Sequence, residues 1–129
     1  MKLKMTTTST AIQLNKLSLS QKHEIFKELS VLGVSLAIIV LMWRNNLILF
    51  AILLSIYAIR SCFWHKVGNH QIFIVGGLLV SAVEVLLVAA GVYQFAYPSL
   101  LNIPMWIPLA WGIGSVAVFR SIQQLINTK

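Results

Sequence analysis

Glu84 stands alone in the run "VSAVEVLLV", residues 80 to 88, a carboxylate inside a long uninterrupted apolar segment. An ionised carboxylate at bilayer depth costs at least ~3 kcal/mol on insertion scales, so a chain keeps one there for a reason. It can be carried as the neutral acid, paired with a base, or hydrated in a wet cavity. Arg60 and Arg120 are the basic residues nearest in depth, roughly 7 and 9 Å inward of the midplane at 1.5 Å per residue. Tyr57, Arg60 and Trp64 fall on one stripe of their helix, which turns Arg60 inward. Pro104, Pro108, Trp111 and Ser115 recur at helical spacing and would wall a pocket above Glu84. The simplest reading is that Glu84 clamps helices together while Arg60 and Arg120 snorkel to headgroups. The functional alternatives make Glu84 a proton or cation site, or an acid or base assisted by Arg60 or Tyr57.

Cys62, His65 and His70 form a second cluster of soft or borderline donors able to hold zinc or copper. Their spacing matches no strong metal motif and no fourth ligand lies nearby, so solvated interfacial histidines are the simpler reading. No phosphate-binding loop, nucleophile elbow or His-Glu zinc motif occurs. The three acidic residues are Glu24, Glu28 and Glu84, with no aspartate. That disfavours magnesium or calcium chemistry, which needs several hard oxygen ligands at one place. No cofactor is expected.

These residues must be positioned by helices in a bilayer. Of 129 residues, 58% are hydrophobic and only 10% charged, and mean hydropathy is +0.84. A soluble domain carries roughly twice that charged fraction. The pattern predicts an all-α polytopic membrane protein with four transmembrane helices, over about residues 25–43, 47–64, 71–95 and 104–125. A tight "RNN" turn at Arg44 to Asn46 makes the first two an antiparallel hairpin. Lys2, Lys4, Lys16, Lys22, Lys27, Arg60, Lys66, Arg120 and Lys129 all fall on one side and only Arg44 on the other. By the positive-inside rule both termini are then cytoplasmic. Ten basic residues spread along the chain, without a basic run, do not read as a nucleic-acid footprint. Residues 1–18 read as a disordered basic tail and 19–129 as a single four-helix domain. "SLSQ" at Ser18 to Gln21 has capping-box spacing, so a helix starts near Leu19. Leu19, Phe26 and Leu29 then face apolar surroundings while Lys22 and Lys27 reach phosphates.

Gly77, Ser81, Glu84, Val88 and Gly91 recur at steps of four and three, which places Glu84 on a stripe of small residues that lets another helix approach. The stretch from Glu84 to Gly112 adds a pattern: E-x6-G, two aromatics, a proline, then I-P-x-W-x-P-L-x-W-G. It resembles small, mostly uncharacterised prokaryotic integral-membrane proteins over about 30 of the 129 residues. The matching positions are Glu84, Gly91, Tyr93, Phe95, Pro98, Pro104, Trp106, Pro108, Trp111 and Gly112. Tyr93 and Phe95 depart from the tryptophan and tyrosine of that pattern, and Phe95 lacks the hydroxyl. More loosely the stretch is similar to longer membrane proteins of carotenoid metabolism, a likeness that implies an apolar, isoprenoid-like ligand. The expected location is a bacterial inner membrane. The leading expectation is a non-enzymatic protein that assembles with itself or with a larger membrane complex. A small transporter using Glu84, and a binder or enzyme for an isoprenoid-like lipid, are the alternatives.

Overall fold

A computed structural model of the protein describes residues 17–127, so the tail expected over residues 1–18 lies almost wholly outside the described residues. Those residues form four helices: α1 (Leu19–Met42), α2 (Asn46–Trp64), α3 (Asn69–Ala89) and α4 (Ile107–Ile126). The first three are long and apolar enough to cross a membrane, at about 36, 28 and 31 Å by helical rise. The chain thus has the make-up of an integral membrane protein. α4 is of similar length but carries Arg120, Gln123 and Gln124 near its end.

Local chemistry explains the ends. The Ser18 hydroxyl accepts from the Gln21 amide at 3.2 Å, and Gln21 Oε1 accepts from the Ser18 amide at 3.0 Å. This reciprocal pair satisfies two orphan donors and starts α1 where the sequence predicts. α3 ends well before the expected Phe95, because Gly91 adopts φ 74. Its amide donates to the Val88 carbonyl and that of Val92 to Leu87, closing a glycine-terminated cap. A Cβ on Gly91 would meet nothing within 4 Å, so this glycine is a helix stop and not the packing residue expected. Residues 90–106 form a folded connection. It turns tightly between Leu100 and Ile103, with Leu101 and Asn102 both at positive φ. Pro104 precedes α4 and Pro108 sits in its first turn, where a missing N–H costs nothing.

α4 is the hub. It packs against all three other helices, most extensively α3. Leu49, Leu53 and Tyr57 of α2 meet Ile107, Leu109 and Ile113 of α4, with Ile103 and Trp106 closing the core from the connection. Trp106 is buried there, donating from Nε1 to Asn46 Oδ1 at 3.1 Å, although a tryptophan at the end of an apolar run commonly sits at the membrane interface. Asn46 Nδ2 in turn donates to the Tyr97 carbonyl and Ser99 hydroxyl, tying the connection to the start of α2.

α3 and α4 touch backbone to backbone. A Cβ on Gly77 would lie 2.6 Å from the Pro108 carbonyl oxygen, and one on Gly112 would lie 2.8 Å from that of Phe73. Small residues do let the helices close, as the stripe predicts. Gly77→Ala should therefore push α3 off α4 and destabilise the fold by about 1–3 kcal/mol, the usual cost of overpacking. Gly33→Ala, with nothing within 4 Å, should be neutral or stabilising by up to ~1 kcal/mol through helix propensity. Thermal unfolding in mild detergent compares the two.

Candidate functional site

The ionisable residues gather where α1 and α3 begin and α2 and α4 end. Arg60 donates to both oxygens of Glu28, from Nε at 3.2 Å and from Nη2 at 2.5 Å. Both side chains are more than nine-tenths buried. Such a two-pronged pair fixes orientation as well as charge. Glu24 accepts from Lys66 at 2.6 Å and from Lys27 at 3.5 Å, nearer the surface. Lys27 also stands 5.9 Å over the Trp64 ring. The space enclosed by Glu24, Lys27, Glu28, Arg60 and Trp64 leaves no room for a water molecule.

Arg120 is held differently. Its guanidinium donates to Asn69 Oδ1, Gln123 Oε1 and the Val67 carbonyl, each at 2.6 Å. This nails the end of α4 to the start of α3 and to the loop before it. Neither arginine snorkels and neither reaches Glu84: both are buried and spent on partners at their own end. Arg60 Nη1 and Asn69 Nδ2 are left buried without a partner among the described residues.

Tyr57 also takes a structural place. Its hydroxyl shares a 2.7 Å hydrogen bond with His70 Nδ1, and its ring stacks on Phe73 at 3.7 Å. His65 stacks on His70 at 4.7 Å, but Cys62 is exposed. No group of three His, Cys, Asp or Glu side chains among the described residues is placed to hold a metal ion. The candidate set Cys62, His65 and His70 is therefore not assembled.

Glu84 lies apart from all of this. It shares the α3 face of Gly77 and Ser81, but α3 ends five residues later, at Ala89. Glu84 is thus about 7.5 Å from the end of its helix, and not at the midpoint that a longer helix implied. Asn69 lies beside Arg120, and Gly77 beside Pro108 and Gly112. In that antiparallel register the turn bearing Glu84 passes beyond the start of α4. The carboxylate is half-buried, and its Oε2 is fully shielded with no hydrogen bond among the described residues. The Ser81 hydroxyl, one turn away, is likewise buried and unpartnered. The expected pocket exists in part only. Trp111 and Ser115 line an open apolar groove of about 830 Å³ on the face of α4 between α1 and α3, but Glu84, Pro104 and Pro108 do not.

Of the signature residues, Gly112 and Pro108 form the α3–α4 contact and Trp106 the core. Tyr93 packs edge-on to Phe95 at 5.5 Å, and Pro98 flanks a surface hollow with Arg44 and Tyr97. The residues that sequence reading passed over are Glu28, Asn69 and Asn46. Glu28 had a signal: it and Arg60 each lie sixteen residues from Arg44, hence level in a hairpin.

Breaking the Glu28–Arg60 pair from one side strands a buried charge. Arg60→Met should cost about 3–5 kcal/mol, whereas Glu28→Leu combined with Arg60→Met should recover most of that loss. Resistance to unfolding by a denaturing detergent reads both. No family model matches this chain, and no curated protein or solved structure matches it.

Proposed function

We propose that the chain is a four-span protein of the bacterial inner membrane, with both termini cytoplasmic. It works by associating with further copies of itself or with subunits of a larger membrane complex. One observation carries the reading: the other two carboxylates of the chain are ion-paired, and Glu84 is the one carboxylate with a shielded oxygen that has no partner among the described residues. A shielded acceptor left unmatched costs about 1–3 kcal/mol, a cost removed when a donor arrives from outside the chain. Glu84 lies one turn beyond Ser81 and is only half-buried, so its side chain can turn from that shielded position toward an incoming helix. Ser81 adds a second unmatched polar atom on the same face. Only 10% of the residues are charged, which favours action within the membrane.

Orientation rests on the basic residues. Lys22, Lys27, Arg60, Lys66 and Arg120 converge at one end of the helices, and Arg44 sits at the other. α4 completes the four spans because its 20 residues are long enough to cross and its one charged side chain, Arg120, is buried onto partners. A polar group used between chains weakens association when removed but does not weaken the isolated fold. Glu84→Leu should therefore leave thermal unfolding of the monomer unchanged or raise it, while lowering the cross-linked or co-purifying fraction several-fold. A wild-type chain that runs as a clean monomer in mild detergent, with nothing bound, sinks the proposal. A cation or proton role would appear instead as lost flux in liposomes with association intact.

A further inference from the structure

We infer that the groove between α1 and α3 is a binding site for an anionic phospholipid, with an acyl chain along α4 and the phosphate at Lys22 and Gln71. Leu32 and Leu36 form one wall and Val75 and Val80 the other, and Gly114 and Val118 lie in the floor. Gly114 matters because it carries no side chain: a Cβ there would meet only Leu32, at 3.8 Å, so the floor stays low. At about 830 Å³ the groove falls within the roughly 300–1,000 Å³ typical of small-molecule sites. It extends along α3 from Gln71 to Val80, about 14 Å at helical rise. A bilayer supplies hydrocarbon chains that lie parallel to the spans and match such a slot in shape and polarity.

The charges at its foot select the head. The Gln21 amide donates to the Gln124 carbonyl at 3.4 Å, which places Lys22 level with the end of α4. That is just below Ile122, the last floor residue of the groove. Lys22, Leu29 and Leu36 share one stripe of α1 at seven-residue spacing, so Lys22 stands under the groove wall. Lys27 and Lys66 at that end are paired with Glu24, and Arg60 with Glu28. The Lys22 ammonium has no partner among the described residues, and neither has the Gln71 side-chain amide that lines the foot. A free cation and a free amide donor beneath an apolar slot complement a phosphate bearing an acyl chain. Phosphate is held by lysine as a point charge and by amide donors through hydrogen bonds.

The full chain, reconstituted in nanodiscs of mixed phosphatidylglycerol and phosphatidylcholine with identical acyl chains, tests this by native mass spectrometry. Wild type should retain phosphatidylglycerol in preference. Lys22→Gln should reduce that preference roughly fivefold, the share of one lysine in anionic-lipid attraction. Gly114→Leu should remove retention of both lipids with unfolding temperature unchanged. Phosphatidylglycerol carrying a photoreactive group on its acyl chain should label residues 111–122 of the unaltered protein, which holds the test independent of any variant. Equal retention of the two lipids, retention unaffected by Gly114→Leu, or labelling confined to other helices overturns the proposal. So does a change of oligomeric mass in Gly114→Leu, which would assign the groove to a second copy.

Discussion

The Glu28–Arg60 pair is the constraint around which the rest is arranged. Each of these ions is expensive in a low-dielectric interior, and attraction repays the cost only where geometry is good and further hydrogen bonds are made. Two N–H···O contacts from one guanidinium meet the first condition. To make them, α1 and α2 must keep one register, with the turn at Trp43 to Asn45 as its pivot. That register brings the buried Ser35 to the level of the fully buried Leu53, and Val31 to that of Tyr57. Tyr57 is then free to stack on Phe73 and engage His70, which carries the register on into α3. Arg120 repeats the logic with neutral partners, so α4 is located by hydrogen bonds to Asn69 and Val67 without a second acid.

The two ends of α3 consequently differ in kind. Near Asn69 both carboxylates and the cations Lys27, Arg60, Lys66 and Arg120 are matched among the described residues, and Lys22 is left over. Near Ala89 one carboxylate is left over, beside a buried serine and beyond the reach of α4. Helices that spend their polar groups on one another hold a shape. The two ends are divided by the glycine contact at Gly76 and Gly77, where a Cβ on Gly76 would overlap the Ser115 side chain.

The helices themselves were readable from apolar runs, the hairpin from "RNN", and the start of α1 from its Ser–Gln cap. What escaped reading has physical causes. Hydropathy does not stop at Gly91, because Val92, Phe95 and Ala96 continue it; only the left-handed backbone at Gly91 ends α3, and that belongs to one residue. Glu28 was hidden by its neighbours, since a segment with Lys22 and Lys27 reads as interfacial when averaged over a turn. Its burial depends on which helix faces it, a fact of pairing between segments. Arg60 was correctly turned inward by its stripe, but a stripe gives direction without naming the partner. Trp106 likewise reads as a membrane-belt ring until Asn46, sixty residues earlier in the chain, supplies the acceptor for its indole.

Among the described residues α4 contacts every other helix, and it follows them in chain order. Protein synthesis runs from the N-terminus, so for the time needed to make residues 90–126 the earlier helices exist without their common support. The first hairpin can enter a membrane with Glu28 and Arg60 already neutralising each other. α3 has no such companion. Its glycines face only lipid until Pro108 and Gly112 arrive, and Asn69 waits for Arg120. The connection of residues 90–106 thereby sets a delay as well as a path: the α3–α4 glycine contact cannot close until that connection has been made.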